Sequence, residues 1–437
     1  MGRKARCEIK EHAAEENRIE ALGLGSVVWL VYVPTFLLSV GWGMVLPIIP
    51  LLARGLGASL GLTGLIVAAK GLGTLILDLP AGLLVTSLGK KKTILLASVG
   101  ACAVALMTGF TGNLALFAAL TFMLGGFHSM WIMTQLAVLR DTAPAEQRGR
   151  AIAFLGGVSR VGTFVGPIVG GFLAKLLGFS AAYFGQAVIS FVALALLYVY
   201  SRKVAWEPLR RIGVNLYTRI GRNLADHRRS FMTAGSAVIT LQLLRAGRQI
   251  LFPLWGDAIG LDVAAIGLII GLSSAVDMTL FYPAGMIMDK LGRKWTAVPA
   301  LFLLSTSLVL IPLTKTFAAL MMVGLLSGLA NGLSSGLGMT IGADLAPDRG
   351  TGDFLGVWRL IGDIGTASGP VIIGAVAQAF TLSLSPVVAA CIGLGGAFIM
   401  LFVVGETLKK SPTAKTAQQA KLGSSDIDPD GDPGTGL

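Results

Sequence analysis

Eight ionisable residues besides histidine stand inside long apolar stretches of this chain: Lys70, Asp78, Arg160, Arg245, Arg248, Asp277, Arg359 and Asp363. Away from bulk water such groups can do three kinds of chemistry. A carboxylate parted from its base can bind and release a proton, an acid and a base can pair, and guanidinium groups can hold a carboxylate or phosphate. Each is costly in hydrocarbon, so each needs a partner or a wet cavity. Arg245 and Arg248 are one helical turn apart, with Gln242 and Gln249 beside them, a set suited to an anionic group. Bonding to helix carbonyls is the alternative for either arginine. His128 follows Gly125-Gly126 and titrates near neutrality, so it could carry a proton. A neutral ring hydrogen-bonded to a neighbour is its plainer reading. Trp42, Trp131, Gln135, Trp255, Asn331 and Trp358 could furnish aromatic and polar walls.

The elements that must position these groups are read from the apolar runs. Of 437 residues, 54% are hydrophobic and only 13% charged, too few charges for a soluble surface. Runs of about 20 residues, each able to cross a bilayer, recur along the chain. Twelve spans are predicted: 27–50, 63–86, 93–110, 114–139, 151–174 and 180–200, then 231–256, 263–288, 295–313, 317–342, 353–377 and 383–404. The segments predicted to be cytoplasmic, both termini included, hold 27 of the 35 Lys and Arg, a strong orientation signal. The net charge of +12 is thereby assigned to loops facing anionic lipid heads, and nucleic-acid binding becomes unnecessary. The leading segment, 1–26, lacks the apolar core of a signal peptide. Cys7, Cys102 and Cys391 do not suggest a disulfide framework.

The chain also repeats itself at one constant offset, the first half answering to the second with no gap. GLLVTSLGKK at 82–91 is matched by GMIMDKLGRK at 285–294, each after Pro-Ala. Gly64-Leu65-Ile66 maps onto Gly267-Leu268-Ile269, and Asp141, Ala143 and Pro144 onto Asp344, Ala346 and Pro347. Gly162, Thr163, Gly166 and Pro167 map onto Gly365, Thr366, Gly369 and Pro370. Two copies of one unit is a plan used by transporters. The expected division is a tail at 1–26, one half at 27–200, a linker at 201–230, a second half at 231–404 and a disordered tail at 405–437. Within the linker, 208–224 has Leu209, Ile212, Leu216, Ile220 and Leu224 on one helical face, which fits a helix lying on the membrane surface. A disordered basic linker is the alternative.

The doubled GxxxDxxGRK turn, the two six-helix halves and the central basic loop resemble the major facilitator superfamily. Leu46-Pro47-Ile48-Ile49-Pro50, the run Gly162, Gly166, Pro167, Gly170 and Gly171, and the loop Gly285, Asp289, Gly292, Arg293 and Lys294 are similar to the twelve-helix drug:proton antiporter branch. Two departures stand out. Thr86 replaces the acid in the first loop copy, and the fourth span lacks that branch's arginine, with Thr121 and Phe122 nearby.

The resemblance implies an all-α membrane fold of twelve helices in two pseudo-symmetric halves, with spans 2 and 11, and 5 and 8, as neighbours. On that arrangement, depth at about 1.5 Å per residue pairs Asp78 with Arg359 and Arg160 with Asp277 across the halves. Asp363, one turn above Arg359, would share it, and Lys70 would answer Asp363. Either these pairs only orient the halves, or Asp277 or Asp363 takes a proton when its partner leaves. Asp289 is expected to accept amides at the start of span five, near Arg150 and Ala151, as a latch; a hydrated turn is the alternative. Lys90 or Lys91 is expected to pair with Asp353. The glycine–proline run would seal the junction of the halves, or simply pack there. Spans four and seven would line the cavity, bringing His128, Arg245 and Arg248 to it.

There is no phosphate loop, no Cys/His metal cluster and no hydrolytic triad in the sequence, so no cofactor or metal is expected and a gradient must supply the energy. The reading is a secondary transporter, not an enzyme, of the plasma membrane or bacterial inner membrane, with both termini cytoplasmic. It would export amphipathic or drug-like small molecules in exchange for protons. The alternative is transport of organic anions or lipids by symport or facilitated diffusion. Its partners would be a small-molecule substrate, protons and membrane lipids, and it would act as a monomer.

Overall fold

The structure is a computed structural model that describes residues 28–142, 148–202, 221, 224–347 and 350–408. The tails at 1–26 and 409–437 and most of the predicted surface helix at 208–224 lie outside the described residues. Among the described residues there are twelve long helices and no strand. They are α1 Val28–Gly55, α2 Leu60–Leu88, α3 Lys90–Phe110, α4 Leu114–Thr142, α5 Arg148–Leu177 and α6 Phe179–Ser201. The second half supplies α7 Arg228–Ala258, α8 Val263–Leu291, α9 Lys294–Leu310, α10 Phe317–Leu345, α11 Thr351–Ala379 and α12 Leu384–Val403. Eleven are apolar and long enough to cross a membrane. The exception is α7, whose middle carries Gln242, Arg245, Arg248 and Gln249.

Local chemistry sets the ends. Ser59 caps α2 by accepting from the Leu62 amide at 3.3 Å, and Asp262 caps α8 by accepting from Ala265 at 2.8 Å. These caps stand at matching positions of the two copies. So do Gly89 and Gly292, whose φ of 82° and 116° turns the chain between α2 and α3 and between α8 and α9.

Packing repeats the same symmetry. α1 lies on α5 as α7 lies on α11, and α2 on α4 as α8 on α10. α3 pairs with α6 as α9 pairs with α12. The halves meet through α2 against α11 and α5 against α8. The register agrees at single residues. A methyl on Gly166 would strike the Val40 carbonyl, and one on its counterpart Gly369 would strike the carbonyl of Leu243, the counterpart of Val40.

The two faces of the bundle differ. At the face distant from the chain ends, the distal face, backbones of opposite halves touch: a methyl on Gly64 would lie 2.8 Å from the Gly374 Cα, and one on Gly171 3.2 Å from the Gly267 Cα. The last part of α1, Ile48–Gly55, also packs on α7 there. At the opposite, terminal face, methyls on Gly149, Gly156, Gly285 and Gly356 would meet nothing within 4 Å. The halves are therefore closed at the distal face and apart at the terminal one.

In that state the expected latch is not engaged, as a latch that needs the halves to meet at the terminal face requires. Asp289 is 76% exposed and pairs with Arg293 of its own loop at 3.2 Å; it does not bond Arg150 or Ala151, because the two helix ends are apart. The start of α9 is capped instead by the Glu406 carboxylate, which accepts from the amides of Arg293 at 2.8 Å and Lys294 at 3.2 Å. Burial alone would raise the Glu406 carboxyl, but these amides and those of Leu408 and Thr407 hold it below the usual range. Arg293 is buried and fixed to Asp344 at 2.8 Å and to the Met288 carbonyl at 2.6 Å. Its guanidinium is held above its ordinary value, first by the Asp344 hydrogen bond. Lys294 reaches the Leu401 carbonyl at 2.9 Å. Among the described residues no ion pair links Lys90 or Lys91 to Asp353, although neither Lys90 nor Asp353 is free.

Candidate central cavity

Two adjoining cavities of about 180 and 220 Å³ lie between the halves, sharing Arg248, Gln249 and Asn331 in their walls. The arginines come from α7, whose opposite face is buried in the second half by Leu244, Ile250 and Leu251. Gln242 and Arg245 face the larger space, and Leu46, Phe252, Ile269 and Ile270 give the smaller one an apolar wall.

The deepest network joins both halves. Arg160 Nη1 donates to Asp277 Oδ1 at 2.9 Å, and Nη2 donates to Ser335 Oγ at 2.9 Å. The Asp277 carboxylate also accepts from Asn331 Nδ2 at 2.9 Å and Ser335 Oγ at 3.3 Å. The Arg160 guanidinium lies 4.8 Å from the Phe281 ring centre. Arg245 bonds Gln242 at 3.0 Å and both the carbonyl and hydroxyl of Ser334 at 2.7 Å. That carbonyl, which also accepts from the Leu337 amide at 3.2 Å, lies where α10 breaks after Leu333 and resumes at Leu337, with Gly336 at φ 74°. A broken helix offering backbone polar groups to a cavity is how membrane helices tolerate irregularity. Among the described residues Arg248 makes only long contacts, 3.4 Å to Ser273 Oγ and 3.3 and 3.4 Å to the Ser327 carbonyl and hydroxyl.

The second cross-half site joins α2 and α11. Arg359 Nε lies 2.7 Å from Asp78 Oδ2, and Ser129 donates to the other Asp78 oxygen. Asp363 Oδ2 stands 4.0 Å from Arg359 Nε and is buried without a hydrogen-bond donor. Lys70 forms no ion pair with Asp363 or any other acid among the described residues. Height along the helix suggested that contact.

Several other expected walls lie elsewhere. Trp131 is 1% exposed in the core of the first half, and Gln135 donates to Thr35, tying α4 to α1. Trp255 bonds Thr314, and Trp358 bonds the Gly338 carbonyl within the second-half core. His128 stacks on Trp42 with ring centres 3.9 Å apart and planes 5° from parallel, rather than bonding a neighbour. In the antiporter-like run, Gly162, Gly166 and Gly170 pack on α1, while Gly171 meets α8 of the other half. Ser273, Ser327, Ser334 and Ser335 were missed; the Ser-Ser-Gly break in an apolar span was the one signal for the last two.

The pseudo-symmetry makes the cavity lopsided. Trp42 and Val45 stand where the second half has Arg245 and Arg248, and Thr74 where it has Asp277. Three guanidinium groups therefore share one carboxylate on the side of Arg160, Arg245 and Arg248.

Residues 31–248 and 236–428 match the family model of the Major Facilitator Superfamily. An uncharacterised MFS-type transporter of Methanocaldococcus jannaschii is 21% identical over 67% of this chain and 76% of its own length. The quinolone resistance protein NorA of Staphylococcus aureus is 25% identical over 44% of this chain, and the match spans half of NorA. The crystal structure of a D-xylose-proton symporter has a TM-score of 0.71, with 15% identity over 89% of this chain and all of that one.

Proposed function

The chain belongs to the major facilitator superfamily, and on that premise we propose that it is a secondary exporter of amphipathic small molecules, driven by protons and working by alternating access. The observation that carries this reading is the pair of carboxylate–guanidinium contacts bridging the halves, Arg160–Asp277 and Arg359–Asp78, with Asp363 beside the second. Both stand between the closed distal face and the open terminal face. A proton on Asp277 would weaken its hold on Arg160 and free the α5–α8 contact. Asp363, with one oxygen that no donor reaches, is a second seat for a proton. With the termini cytoplasmic, the state described is inward-open and ready to load from the cytoplasm. The likeness to NorA supports the export direction.

The reading is tested in proteoliposomes carrying an interior pH dye. Substrate-dependent proton movement is expected, and it is expected to vanish in Asp277→Asn and Asp363→Asn while substrate binding persists. Unchanged proton flux in both variants would remove proton carriage by these acids. A second reading, transport of organic anions by symport or facilitated diffusion, is favoured by the surplus of guanidinium groups in the cavity. Substrate movement that is indifferent to the proton gradient would select it.

A further inference from the structure

Arg248 is the group that the network above leaves unused. Arg160 has Asp277, and Arg245 is spent on Gln242 and Ser334. No carboxylate lies within 4 Å of Arg248 among the described residues, and its neutral contacts, all from Nη1, are 3.3 Å or longer. A guanidinium prefers short, forked bonds to an oxyanion, so these contacts hold the head in place without satisfying it. Arg248 also stands in the wall of both cavities, at their junction. On one side lie Arg245 and Arg160; on the other lie Leu46, Phe252, Ile269 and Ile270. A low-dielectric chamber with excess positive charge favours a negative occupant.

We propose that the cargo is an amphipathic organic anion, its carboxylate, sulfonate or phosphate held by Arg248 and its apolar body laid against Leu46, Phe252, Ile269 and Ile270. The proposal rests on the transporter reading and narrows it. Ser273 and Ser327 would position the guanidinium, and Gln249 would be the neutral donor beside the head group. A neutral cargo would leave the charge of Arg248 unanswered, and a cation would add to it. The chambers suit a small molecule rather than a two-chain lipid.

The test is calorimetric binding to the full chain in nanodiscs, with no gradient, using three probes of one shape: naphthalene-1-sulfonate, 1-naphthalenemethanol and 1-naphthylmethylammonium. The sulfonate is expected to bind about tenfold or more tighter than the other two, the worth of one charged hydrogen-bonding group. Arg248→Ala is expected to erase that preference, and Arg248→Lys to restore part of it as a point charge. Equal binding of the three probes by the wild-type protein, or none by the sulfonate, overturns the proposal even if the variants fail to fold. Tighter binding of a two-chain phosphatidate than of the sulfonate also overturns it. Because no gradient is present, sulfonate binding without proton-coupled flux would refute the exporter reading alone. Flux of neutral or cationic compounds without anion preference would refute this inference alone.

Discussion

Besides the close backbone approaches, two polar contacts bridge the halves at the closed distal face, made by counterpart residues of the two copies. Lys175 Nζ bonds Asp262 Oδ2 at 2.7 Å, joining α5 to α8. Gln378, the counterpart of Lys175 in the second copy, accepts from the Gly61 amide at 3.3 Å, joining α11 to α2. Replacing Asp262 by Asn removes the charge yet keeps a good cap for α8, so the ion pair is isolated from the helix start. The two side chains are 50% and 47% exposed, which places the pair among surface contacts of about 0.2–1 kcal/mol. The variant should therefore raise the ratio of distal-open to distal-closed molecules by about 1.4- to 5-fold. The assay is labelling of Ile270→Cys by an impermeant maleimide from the distal side, in a background lacking Cys7, Cys102 and Cys391. Salt should give the wild-type protein the same shift and leave Asp262→Asn nearly unmoved, since exposed pairs are screened. Acid acts in one direction. The Lys175 hydrogen bond first, then the Ala265 amide, holds the Asp262 carboxyl below its usual range. The Lys175–Asp262 pair is thus intact above the ordinary carboxylate pKa and is lost as pH falls through the lowered value. The difference in labelling between wild type and Asp262→Asn should be constant from neutrality to about pH 4 and shrink below it. Identical labelling and salt response in wild type and Asp262→Asn would refute the reasoning.

Three further outcomes follow from the geometry. Arg160→Met should lower the melting temperature more than the double variant Arg160→Met/Asp277→Asn, because the single change strands a carboxylate; with Arg160 24% exposed the penalty is about 1–3 kcal/mol rather than the full buried value. Gly171→Leu should increase distal labelling in the Ile270→Cys assay, since even a methyl there would lie 2.8 Å from the Val263 carbonyl. Glu406→Ala should speed hydrogen exchange at Arg293 and Lys294 at a cost of about 1 kcal/mol, leaving the amides in the middle of α9 unchanged.

The spans, the doubling and the two cross-half pairs were legible because each depends on quantities the sequence carries directly. Apolar length sets a span, a constant offset sets the repeat, and residue count sets height in the bundle. Azimuth is not carried so plainly. Lys70 was placed at a workable height for Asp363 and forms no ion pair with it; Trp131 and Gln135 were placed on a lining helix and face its own half. The α10 break was hidden because Ser334 and Ser335 are tolerated in a continuous membrane helix, and only Gly336 hinted at a left-handed residue. The Glu406 cap was invisible for another reason: its donors lie 112 and 113 residues away and no local pattern links them. Which face is closed is a property of a state, and one sequence must permit both.

The two interhelical ion pairs bear on how those states interconvert. In each interface the arginine comes from the equivalent helix, α5 or α11, and the aspartate from the equivalent partner, α8 or α2. Yet they are not at equivalent residues. Arg359 corresponds to Gly156, four residues before Arg160, and Asp78 to Phe281, four residues after Asp277, so the second pair sits one turn nearer the terminal face, about 6 Å by helical rise. A true twofold would put the two contacts level. Staggered contacts make the hinge oblique, so opening the terminal face must strain one pair more than the other. Asp363, which corresponds to Arg160, occupies the vacated level with no donor on one oxygen. The asymmetry thus places an unsatisfied carboxylate where the symmetric scaffold would have repeated a cation, and that is the position from which one proton could bias the whole bundle.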